Sequence, residues 1–115
     1  MADDFSDGDF TANPIWSGDA SLFTINAGQL QSQSPGAATY YLSTPSTLSA
    51  NAQWDFCIDL KFSTSGANYV DVYVMSDQAD LTSANNGYVL RLGSTSDDIS
   101  LYKRVAGTNT ILIDG

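Results

Sequence analysis

The sequence predicts an all-β fold, an antiparallel sandwich or barrel, and three observations carry that expectation. In residues 54–62 (WDFCIDLKF), Trp54, Phe56, Ile58, Leu60 and Phe62 occupy every second position and Asp55, Cys57, Asp59 and Lys61 the others, the period of a strand buried on one face. No window keeps apolar residues at helical spacing for more than a turn, while turn-forming residues recur about every 8–12 positions. The third observation is compositional. All 13 acids are Asp, with no Glu, and Asp, Ser, Asn and Gly favour turns and caps where Glu would favour helix.

Length and charge narrow the classes further. A chain of 115 residues suits one domain. Its 4 Lys+Arg and net charge of -9 repel phosphate backbones and anionic lipid, so nucleic acid is not an expected partner. No stretch approaches the roughly 20 apolar residues of a membrane span, so no membrane insertion is expected. The start MADDFSDG has neither the basic end nor the apolar core of a signal peptide, so an exported protein would have carried its signal upstream. The single cysteine, Cys57, excludes an intrachain disulfide, and with no His to activate it, it reads as a small strand residue.

The first segment, 3–19 (DDFSDGDFTANPIWSGD), mixes Asp with Phe5, Phe10, Ile15 and Trp16, and Gly8, Pro14 and Gly18 prevent a helix. It is expected to be irregular or an edge strand whose aromatics dock on the core. Its Asp run, Asp7 and Asp9 above all, is the candidate Ca²⁺ site because hard cations take carboxylate oxygens. The spacing does not fit an EF-hand loop, and a solvated acidic turn is the preferred reading. Residues 21–26 and 29–33 form a hairpin signal around Asn26-Ala27-Gly28. Pro35-Gly36 then turns the chain into a short strand at 38–43, and a polar loop leads to the central strand at 54–62.

Past the loop at 63–68, Tyr69–Ser76 (YVDVYVMS) alternates Val70, Val72 and Val74 with Asp71, Tyr73 and Met75. The connection at 77–86 is too polar for a packed helix, and Asn86-Gly87 closes it. Strands at Gly87–Gly93, 98–104 and 109–113 follow, with links of hairpin length at 94–97 and 105–108. An antiparallel meander is the natural result.

Most catalytic chemistry fails on composition. Without His, the Ser-His-Asp and Cys-His arrangements and His-based zinc sites are excluded, and no GxxxxGK or GxGxxG phosphate loop occurs. A glycosidase needs two carboxyl groups roughly 5–9.5 Å apart, whereas Asp55 and Asp59, four apart on one strand, would lie about 13 Å apart. Asp59 and Asp71 on adjacent strands would come closer. The feature with most functional content is the polar face of the sheet, where Asp59, Asp71, Tyr73, Arg91 and Tyr102 point away from the expected core. Rings beside carboxylate and guanidinium resemble a saccharide-binding surface, where sugar C–H faces stack and hydroxyls are hydrogen-bonded. Ordinary cross-strand pairing on a solvated face is the plainer alternative.

The run FSDGDFTANPIWSGD, the strand centred on WDF, then VYVMSDQADL and NNGYVLRLGSTSDDISLYK together resemble the N-terminal half of concanavalin A-like lectin/glucanase (laminin-G-like) domains of large exported Bacteroidetes-type proteins. The resemblance implies a jelly roll of two antiparallel sheets and an extracellular or cell-surface location. It also implies a role in carbohydrate binding or adhesion, with a purely structural accessory module as the alternative and a glycoside hydrolase as the least favoured. The family's glucanase branch uses an E-x-D-x-E strand motif that a chain without Glu does not carry, so a non-catalytic module is expected. Such domains run to roughly 200 residues, which implies that this chain is about the first half and the sandwich incomplete. Apolar surface left uncovered would then invite a homodimer through exposed strands.

Overall fold

The computed structural model describes residues 2–115. Among them strands make up 38% of the chain and there is no α-helix, so the all-β expectation holds. Every strand pair is antiparallel. The chain forms two compact units, Met1–Thr47 with Ala79–Thr82 and Leu48–Gln78 with Ser83–Gly115.

The first unit contains two small ladders. Strand β1 (Ser17–Gly18) pairs with β4 (Leu42–Ser43), and β2 (Phe23–Asn26) with β3 (Gln29–Ser32). A single 3-10 turn, Ala20–Leu22, leads into β2. The predicted hairpin forms because Ala27 and Gly28 both take positive φ, 50° and 72°, the type I′ geometry whose twist matches paired strands. The predicted strand at 38–43 shortens to Leu42–Ser43. At Tyr41 a clasp replaces further ladder: Asp19 N donates to Tyr41 O at 2.9 Å, and Tyr41 N donates to the Asp19 carboxylate at 3.0 Å. The acidic start is irregular, as expected, and its aromatics meet each other. Phe5 and Trp16 lie 6.1 Å apart between ring centroids, and the Trp16 indole N–H donates to Asp3 at 2.8 Å.

The second unit is a four-stranded meander in the order β5-β6-β7-β8: β5 (Tyr69–Ser76), β6 (Gly87–Gly93), β7 (Asp98–Val105) and β8 (Thr108–Ile113). The β7–β8 turn again places two residues at positive φ, Ala106 at 46° and Gly107 at 81°. Register shifts mark irregularities between Tyr73 and Met75 on β5 and opposite Leu101/Tyr102 on β8, so both edge strands are kinked, a common guard against edge-to-edge association.

The central strand expected at 54–62 is absent: the segment belongs to no ladder. Its alternation survives in weakened form, since Trp54, Ile58 and Leu60 are half-buried and Asp55, Cys57, Asp59 and Lys61 exposed, but Phe56 and Phe62 are 45% and 43% exposed. Period-two patterning expresses which side of a chain prefers cover. A ladder also needs a partner edge, and none comes alongside.

The connection between β5 and β6 is held by side chains in place of a helix. Ser76 Oγ accepts from Gln78 N and donates to Gln78 O at 3.2 and 2.8 Å, a local turn that competes with helix. Asp77 accepts from Asn86 twice, from the backbone N–H at 2.7 Å and the side-chain amide at 2.6 Å, and Asn86 Oδ1 accepts from Ala106 N at 2.9 Å.

Two outcomes follow. Backbone donation by Asn86, with its side-chain amide second, holds the Asp77 carboxyl below its ordinary 3.8. A depressed carboxyl stabilises the fold above the unfolded-state value, and that contribution is lost as pH falls through the folded one. In Asn86→Ala the Asp77 midpoint, followed by carboxyl NMR titration, moves up toward 3.8, because one of its two donor groups is gone. The second concerns Ala106, a non-glycine residue in left-handed backbone at φ 46°. Ala106→Asn keeps its N–H donor and supplies the residue this turn favours, so thermal unfolding should show a gain of about 0.5–1 kcal/mol.

Candidate functional site

The register fixes which side chains share a face. Asp71 lies opposite Arg91 and Arg91 opposite Ser100, while Tyr73, Val89, Tyr102 and Ile111 form the adjacent row and Gly87, Arg104 and Asn109 the next. Asp71, Tyr73, Arg91 and Tyr102 therefore stand on one face, as the sequence pattern predicts. Asp59 does not join them. It sits outside the sheet, exposed, in an ion pair with Lys61, because the strand that was to carry it does not form.

The centre of the face is Arg91. Its Nε and Nη2 donate to the two oxygens of Asp71 at 2.7 and 2.8 Å, a bidentate pair with side chains only 20% and 18% exposed. The guanidinium carbon stands 3.9 Å from the ring centroid of Tyr69 and 5.5 Å from that of Tyr102, so the cation is held between two rings. Donation to Asp71 raises the Arg91 pKa, and burial raises that of the Tyr73 hydroxyl. Arg91 remains a cation and Tyr73 a neutral phenol over the ordinary pH range.

The buried Val89 and Ser100 lie on this polar face and not on the Val/Leu face expected to be the core, while Tyr69 and Ile111 on it are 38% and 46% exposed. Val89, whose side chain is fully buried, lies on the polar face between Tyr73 and Tyr102. On the opposite face Tyr88, Ile99 and Ile113 are 38%, 59% and 60% exposed, and Leu90, Leu92 and Leu101 are half-buried. The cross-strand neighbours of Val89 on this face are Tyr73 and Tyr102, side chains long enough to cover a smaller residue between them.

A second arginine extends the face. Arg104 Nε donates to Asn85 Oδ1 at 2.6 Å and Nη1 to Asn109 Oδ1 at 2.8 Å, and its guanidinium carbon lies 5.9 Å from the Tyr73 ring centroid. Asn85 is fully buried, and its carbonyl oxygen accepts from Gly107 N at 2.9 Å. Sequence reasoning passed over Tyr69, Arg104, Asn85 and Asn109. Period two from Asp71 and Tyr102 does reach Tyr69 and Arg104, and the tight hairpin carries Asn109 to Arg104, but nothing local marks Asn85.

At the N-terminus, the candidate cation residues Asp7 and Asp9 make local hydrogen bonds. Asp7 accepts from Asp9 N at 3.0 Å, and Asp9 accepts from Thr11 N and Thr11 Oγ1, both at 2.7 Å. The Thr11 hydroxyl, then its backbone N–H, hold the Asp9 carboxyl below its ordinary value. Among the described residues no three potential metal ligands converge, and no helix is long and apolar enough to cross a membrane.

No protein-family model, curated protein or solved structure matches the chain.

The geometry of the Arg91 cluster makes a definite prediction. Asp71→Ala leaves a half-buried guanidinium without its carboxylate and should cost about 1–3 kcal/mol in urea unfolding. Adding Arg91→Met to that variant removes the stranded charge and should recover part of the loss. Additivity of the two substitutions would show that the pair does not act as a unit.

Proposed function

We propose that the chain is a non-catalytic binding module of an exported or cell-surface protein, and that its ligand is a glycan taken on the face of Tyr73, Arg91 and Tyr102. The observation that carries this reading is the shared register of Asp71, Tyr73, Arg91 and Tyr102, which presents rings and polar groups along one side of a rigid four-stranded sheet. Sugar rings stack on such side chains while their hydroxyls are met by carboxylate, guanidinium and phenol. The absence of Glu and His from the sequence supports binding without bond cleavage.

The fold reading goes with it. We take β5–β8 as one layer of a concanavalin A-like sandwich, as the motifs resembling that family suggest. The half-exposed opposite face, with Ile99 at 59% and Ile113 at 60%, is of the kind a second sheet covers at about 10 Å. A second copy of the chain joined through exposed strands is the other cover this reading admits.

A structural module with no ligand of its own is the competing reading, and one observation favours it. Arg91 is paired bidentately with Asp71 and stacked on Tyr69, so the cluster joins β5 to β6 whether or not anything binds. Isothermal titration against β-glucan and plant cell-wall oligosaccharides separates the two. The binding reading expects saturable binding to at least one of them, weakened about tenfold or more by Tyr73→Ala or Tyr102→Ala, since a stacked ring is worth roughly 1–2 kcal/mol. Absence of binding across the whole set supports the structural module.

A further inference from the structure

Arg104 differs from the other paired cations of the described residues. Arg91 has Asp71 and Lys61 has Asp59, whereas no described carboxylate pairs with Arg104, although the chain holds 13 acids for 4 bases. Two neutral amide oxygens, Asn85 Oδ1 and Asn109 Oδ1, take its Nε and one Nη1 hydrogen. Amides orient a guanidinium without cancelling its charge. Five N–H groups radiate from the fork, so beyond the two that the asparagines take there remain one Nη1 and two Nη2 hydrogens, donors of the kind that meet a planar anion. The orientation is built in: Asn85 is fully buried and fastened through its own carbonyl to Gly107 N.

We infer that Arg104 is an anion subsite, and that the glycan proposed above is an acidic one whose uronate carboxylate docks on the remaining Nη hydrogens beside the Tyr73 ring. The inference rests on the glycan-binding reading and adds the charge of the ligand to it. The chain's net charge of -9 does not forbid this. On the same face Asp71 is already neutralised by Arg91, Asp98 stands at the far end of β7 opposite Gly93, and exposed charges more distant than about 8 Å are largely screened at physiological ionic strength.

The test compares oligogalacturonate and oligoglucuronate with their methyl esters by isothermal titration at physiological salt. Each ester keeps the ring faces and loses the charge. The acids should bind the native protein about tenfold more tightly than their esters, the scale of one charge-assisted contact. Arg104→Lys should retain part of that preference and Arg104→Gln none. Asn109→Asp covers the case in which Arg104→Gln does not fold, because it keeps an acceptor for Nη1 while placing a neutralising carboxylate there, and it too should abolish the preference. Equal affinity of acid and ester for the native protein overturns the subsite and leaves the glycan reading standing. Binding of neither, together with silence across the neutral sugars, removes both.

Discussion

The pairing register of the four-stranded sheet is the constraint on which everything else depends. Side chains alternate along a strand, so a slip of one residue between β5 and β6 would move Asp71 to the far face from Arg91 and scatter the cluster. Two features hold the register. Type I′ geometry at Ala106-Gly107 sets β8 against β7, and the bidentate Asp71–Arg91 pair locks β5 to β6. Two charges that lose most of their hydration gain little net energy from meeting, whereas a register in which they fail to meet leaves each without its partner.

From that register follows the unusual distribution of cover. The sheet has its fully buried valine on the polar face and leaves its aliphatic face half open. Val89 is fully buried between Tyr73 and Tyr102, whereas Ile99 on the other side is 59% exposed. A sheet arranged this way has one face that is chemically varied and another that is half open.

The sequence made some parts of this legible and concealed others for physical reasons. Tyr69–Ser76 and Gly87–Gly93 were readable to their ends, because valine-rich alternation, a closing Asn86-Gly87 and a following glycine all agree. Local agreement of that kind is what marks an unfrustrated element. The segment at 54–62 shows the opposite case, with strong alternation and no ladder, since pattern reports amphipathicity while pairing depends on residues far away in sequence. The same gap hid the enclosed face. Aliphatic residues were expected inside, but which side chains flank Val89 depends on neighbouring strands, which only the register reveals. Asp71, Tyr73, Arg91 and Tyr102 could be grouped from period two alone. Asn85, in a connection without periodicity, could not, and Asp59 was lost with the strand expected to carry it.

Cross-strand nuclear Overhauser effects test the register most directly. In the arrangement described here the backbone protons of Arg91 give contacts to those of Asp71 on one side and Ser100 on the other, Val89 does so to Tyr73 and Tyr102, and residues 54–62 give none to any strand. Contacts that instead place Arg91 opposite Val70 or Val72, or Ile99 or Leu101, would contradict the account, because the polar cluster and the face built around it would no longer exist.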